Sequence, residues 1–209
     1  ATWRMAALDG AAAPLPDAHP VVTAAAHQHP GLWAGASGDL YHQLLPTILA
    51  QRITAREAMR QWGALCRELG EPAPGPDLGV MLPPHPERLV GRPAWWFHPL
   101  GIETKRARPL VEVARVADRL WAWAALSPAE TAAKLGLLRG IGPWTIGSVL
   151  GPVCGDEDAV PVGDYHIPNT VAWARRRRCE RCSRVAWPKP ARPRVSERSV
   201  SGSWHRSSC

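Results

Sequence analysis

The sequence predicts an all-α protein, a multi-helix bundle, and three observations carry that prediction. Apolar residues recur at helical spacing, as in Leu40, Leu44, Ile48 and Leu49. Residues that favour helix N-caps stand in front of such segments, namely Asp39, Thr54 and Ser127. Two further apolar segments are joined by Gly140-Ile141-Gly142. Glycine accepts positive φ and lets another backbone come close, so this spacing suits a very tight interhelical turn.

Taken in order, residues 1–38 are rich in Ala, Pro, Gly and His, and only residues 19–31 fit a short helix between loops. They read as an N-terminal remnant or linker. Asp39 caps a segment over 40–53, inside which Pro46 predicts a kink or an early break. Thr54 caps a helix to Leu69, with Met59, Trp62, Cys66 and Leu69 on one side. Residues 70–86 are a proline-rich connection that excludes regular helix. The aromatic run at 93–102 reads as core packing first, and as a base or DNA contact second. A long helix is expected from Thr104 to about Ala125. Ser127-Pro128-Ala129-Glu130 is a capping box with proline at the first helical position, opening a helix that ends near Leu138. The segment 144–150 forms the second arm of the glycine turn. An acidic loop (Asp156, Glu157, Asp158) follows, and Asp164 opens the last helix, whose apolar pattern runs to Ala174.

The totals need dividing before they are read. The chain of 209 residues is long enough to bury a real core and carries a net charge of +7. Residues 175–209 hold eleven Lys and Arg against two acids, which leaves residues 1–174 two charges negative. Any nucleic-acid binding must therefore come from local features, not from overall charge. That last stretch has ten Arg, seven Ser and three Cys with almost no apolar periodicity. It reads as a basic, disordered tail, and its abrupt composition reads as translation of a GC-rich gene in another frame. A solvated basic arm is the alternative. Cys66 and Cys154 sit in apolar helical contexts as buried thiols. Only Cys179 and Cys182 are closely spaced, so ligand count speaks against an iron–sulfur or zinc site, and no metal or cofactor is expected. No apolar run approaches a membrane span, and the start shows no signal segment. A cytoplasmic monomer is the expectation.

The densest chemistry lies in 137–169. Within Leu138-Arg139-Gly140-Ile141-Gly142-Pro143-Trp144-Thr145, Ile141 is expected to point into the core. The amides after it, at the start of the next helix, are expected to face outward as a phosphate site. Twenty-two residues after Gly142 comes Asp164, in the context Asp164-Tyr165-His166-Ile167.

These residues resemble the helix-hairpin-helix DNA glycosylases, the superfamily of endonuclease III and 3-methyladenine DNA glycosylase II, with the second branch as the nearer. The resemblance implies a helix-hairpin-helix core over 39–174, with Gly140, Ile141, Gly142, Trp144 and Thr145 against DNA and Asp164 as the catalytic acid. It implies that Gln51 and Arg52 enter the gap left by an extruded base. Read alone, they are two solvated residues at a helix end. It implies phosphate contacts from Lys105 and Arg106, which a solvated first turn explains equally well. Trp144 stands where one branch of the family has a lysine nucleophile, and an indole forms no Schiff base. The implied activity is therefore base-excision repair by a monofunctional glycosylase without strand cutting. Trp144 and Tyr165 would line the base pocket, and an electron-rich indole suits cationic alkylated purines such as 3-methyladenine. The implied partner is double-stranded DNA with a damaged base. Asp164 also reads as a helix N-cap, a role compatible with catalysis. His166 reads as a structural hydrogen-bonding residue. The alternative function is a non-catalytic helix-hairpin-helix DNA binder, or a disabled glycosylase.

Overall fold

The computed structural model describes residues 19–29, 35–75 and 79–177. The expectations for most of the N-terminal remnant and for the tail beyond Arg177, with Cys179, Cys182 and Cys209, lie outside the described residues. The described residues form α1 (Pro20–Gln28), α2 (Leu40–Leu49), α3 (Ala55–Leu69), α4 (Pro86–Leu89), a 3₁₀ helix (Ala94–Leu100), α5 (Thr104–Arg115), α6 (Ala117–Trp123), α7 (Pro128–Leu135), α8 (Pro143–Cys154) and α9 (Ile167–Arg177). The all-α fold is as the sequence predicts.

The bundle is built round α2, which packs against α3, α5, α6 and α8. The Asp39 carboxylate accepts the His42 amide at 3.0 Å and starts it. Leu40, Tyr41, Leu44, Leu45, Ile48 and Leu49 are all fully buried. Burial of each such side chain contributes about 1.5–3 kcal/mol before entropy is counted. The helix stops at Leu49, consistent with the break expected from Pro46, whose ring leaves no amide for the carbonyl one turn earlier. The Tyr41 hydroxyl donates to the Pro84 carbonyl at 2.9 Å and pins the proline-rich connection to the core.

Two expectations need correction. Met59 is 74% exposed, and the inward face of α3 is Ala58, Gln61, Leu65, Cys66 and Leu69. Gln61 occupies that face because its side-chain amide donates to the Gly101 carbonyl at 2.7 Å and to Glu57 at 2.8 Å. A polar anchor thus displaces the methionine that hydropathy favoured. The long helix after Thr104 is also two helices, broken at Val116 (φ −110°, ψ 15°). α5 packs on α4 and the 3₁₀ helix while α6 packs on α7, and two sets of partners require two segments.

The capping box forms as expected: the Ser127 and Glu130 side chains each accept the other's backbone amide, at 3.4 and 3.2 Å. α7 then packs against α8, and the turn between them is the glycine hairpin.

Candidate functional site

The hairpin requires glycine at one of its two positions. Gly140 has φ +88°, and a side chain there would run into the ring of Pro109 on α5. Gly142 is extended (φ −106°, ψ 179°) with open space beside it. Ile141 is 5% exposed, pointing into the core as expected, and its amide donates to the Leu138 carbonyl at 3.1 Å. α8 then starts with Pro143 at its first position and no side-chain cap. Its first-turn amides, Trp144 and Thr145, have no carbonyl one turn earlier within the helix. With the positive end of the helix dipole they make a site suited to an anion.

Gln51 is brought to this hairpin from far away in the chain. Its Nε2 donates to the Gly140 carbonyl at 3.0 Å and to Thr145 Oγ1 at 2.9 Å, tying both arms to the end of α2. Three expected DNA contacts change meaning here, and Gln51 is the first: its amide is held by the hairpin, where the resemblance put it in the gap left by an extruded base. Thr145 is 2% exposed, so its hydroxyl is spent inside the clasp and only its backbone remains for a phosphate. Arg106 is 5% exposed, with NH1 facing the Gln51 carbonyl at 3.5 Å and Nε buried without a partner. The first turn of α5 therefore divides: Lys105 is exposed, and Arg106 lies beneath the Gln51 turn. Arg52, next to the clasp, is exposed at φ +58°, a conformation that strains a residue with a Cβ by about 1–2 kcal/mol.

Asp164 lies beside the opening turn of α8. Its Oδ1 accepts the amides of His166 at 2.7 Å and Ile167 at 2.9 Å, and Oδ2 accepts the indole N–H of Trp144 at 3.0 Å. The carboxylate caps the start of α9 from two residues before its formal cap position. The Trp144 indole foremost, then the two amides, hold its pKa below the ordinary carboxylate value. It is thus an ionised, fixed group with one acceptor position of Oδ2 still open. His166 contributes its backbone amide to this arrangement. Tyr165, expected in a base pocket, is 80% exposed with its ring edge-on to His166 at 5.1 Å. It forms an open lip beside Asp164, because the Asx turn at Asp164 aims it at solvent.

The loop carrying Asp164 is seated by Gly147 of α8, where any side chain would meet the Val160 carbonyl. Sequence reasoning missed the Trp144–Asp164 bond, the Gln51 clasp and this contact. The only signal for the first was that two expected site residues share one superfamily motif. Burial pushes the Cys66 thiol up to about 11 and raises that of Cys154. Among the described residues no three His, Cys, Asp or Glu are grouped to hold a metal, and no helix is long and apolar enough to cross a membrane.

No family model and no curated protein matches the sequence. The fold is similar to that of solved DNA glycosylases. A 3-methyladenine DNA glycosylase from Archaeoglobus fulgidus superposes with TM-score 0.65 at 20% identity, over 75% of this chain and 54% of that one. The Clostridium acetobutylicum 8-oxoguanine glycosylase/lyase, in complex with double-stranded DNA containing cytosine opposite 8-oxoguanine, gives 0.61 at 17% identity, over 74% and 54%. A Schizosaccharomyces pombe 3-methyladenine DNA glycosylase in complex with abasic DNA gives 0.54 at 18%, over 65% and 64%. The chain thus spans little more than half the length of the first two.

Proposed function

We propose that this chain is a DNA glycosylase of base-excision repair that hydrolyses the N-glycosidic bond of an extruded, alkylated purine. The observation that carries the reading is the Asp164 carboxylate, held by the indole of Trp144, a residue of the hairpin's second arm. A base stacked in duplex DNA is out of reach, so the enzyme must take it out of the stack. In this reading the amides of Trp144 and Thr145 hold a phosphate. Strained Arg52 fills the vacated gap, and Gln51 braces the hairpin behind it. In the same reading the half-buried Trp144 ring receives the base, and a purine made cationic by alkylation is drawn to it.

The chemistry then needs little from the protein. The bond between the sugar C1′ and the purine nitrogen breaks with its electron pair going to the base, which leaves neutral because it was cationic. The oxocarbenium-like sugar is stabilised by the Asp164 carboxylate. Water adds to C1′, and its proton passes to the open position of Oδ2 or to solvent. Trp144 offers no amine for a Schiff base, so the strand stays intact.

The test is to incubate methylated duplex DNA with the chain and separate the products. Free 3-methyladenine, with strand breaks appearing only after alkali, is expected. Breaks without alkali would overturn the monofunctional assignment, and absence of any free base would overturn the enzyme. A second reading, a non-catalytic or disabled DNA binder, is favoured by α9, the helix that Asp164 caps, where the apolar Ile167 and Val171 are exposed.

A further inference from the structure

Five cations of the described residues line one groove. A cavity of about 700 Å³ runs between the 3₁₀ helix, α5 and the hairpin. Arg92, Lys105, Arg108, Arg115 and Arg139 line it, against one acid, Glu112. That acid pairs with Arg115 at 3.4 Å. Arg92 lies over the Trp96 ring at 4.0 Å and donates to the Arg88 carbonyl, so its stem is fixed. Lys105, Arg108 and Arg139 are exposed and have no ion-pair partner among the described residues. Residues 1–174 together are two charges negative, so a groove with four net positive charges stands out against a negative remainder. Arg139 and Gly140 belong to its wall, so the groove reaches the hairpin turn.

We infer that this groove is a second backbone site, taking phosphates of the duplex that flanks the base-extrusion point. The inference rests on the DNA-binding reading above and extends it from the hairpin amides along the exposed face of α5. Lys105 to Arg115 on α5 spans about 15 Å at the helical rise, the length of roughly four nucleotides of one strand. Exposed guanidinium groups without carboxylate partners suit phosphate oxygens, and such groups position a duplex without reading its sequence.

The experiment measures affinity for an undamaged duplex as a function of salt. Every phosphate that a variant leaves unneutralised reduces the slope of log K against log salt by about 0.9. The pair Arg108→Gln with Arg139→Gln is expected to reduce it by about 1.8. Between about 50 and 200 mM salt, the affinity of wild type then falls roughly 12-fold further than that of the variant. Arg67→Gln with Arg119→Gln removes the same charge from exposed sites outside the groove and is expected to leave the slope unchanged. Arg108→Lys with Arg139→Lys is expected to restore it, which excludes misfolding as the cause. Equal slopes for the two Gln pairs would overturn the groove while leaving the hairpin reading intact. A wild-type chain that shows no salt-dependent duplex binding would overturn both.

Discussion

Trp144 holds two jobs that a single substitution can separate. Its ring offers a π face, and its N–H fixes Oδ2 of Asp164 at 3.0 Å. Trp144→Phe keeps a face and removes the donor. A carboxylate with a depressed pKa is ionised down to a lower pH, and removing the donor moves the titration up toward the ordinary value near 3.8. Carboxyl-carbon NMR titration should therefore find Asp164 titrating below the usual range in wild type and higher in Trp144→Phe. Because the active form is the ionised one, activity is lost as pH falls through that pKa, so the acid limb moves to higher pH in the variant. An unmoved titration would show that the indole bond does not hold the carboxylate. Gly140 is the second such residue. Gly140→Ala forces a Cβ into positive φ and into the Pro109 ring, so a loss of at least about 1–2 kcal/mol is expected from urea unfolding. Gly142→Ala, extended and in open space, should lose far less.

At the scale of elements, α8 organises the site through both its start and its middle. Its start offers the amides and Trp144, and Gly147 lets the 155–163 loop lie flat against it. Gly147→Ala pushes Val160 away and moves Asp164 with it. Excision should fall by a larger factor than duplex affinity, since the hairpin amides are untouched; an equal fall in both would place the fault in the fold. What sequence made legible here was local. Asp39, Thr54 and Ser127 cap within three residues of their own position, and Gly140 turns the chain at its own φ. What it hid depends on distant partners. Gln61 faces inward because Gly101 offers a carbonyl, forty residues on, and Met59 is turned out in consequence. Arg106 and Thr145 looked like surface contacts because no one-dimensional pattern records that Gln51 would cover them. The break at Val116 follows from the separate partners of α5 and α6, which are equally invisible to periodicity.

For the whole molecule, the positive net charge misdirects unless it is located. Residues 175–209 carry more than the whole of it, while in the described bundle Lys105, Arg108 and Arg139, exposed cations outside any ion pair, line one groove that reaches the glycine turn. The proposal above gives each a part: the groove draws a duplex in, the hairpin fixes its backbone, and the Asp164 carboxylate meets the sugar. The measurement that tests this proposal most directly is single-turnover formation of abasic sites in methylated duplex DNA, by wild type and by Asp164→Asn, with duplex affinity determined for both. Asparagine keeps the shape and can still accept from the His166 and Ile167 amides, but it carries no negative charge. The account predicts abasic sites with wild type, a loss of about 100-fold or more in Asp164→Asn, and similar duplex affinity for the two, since a preorganised charge is an effect of that order in the transition state alone. Equal rates of excision would contradict it, and so would the absence of excision by wild type bound to the same DNA.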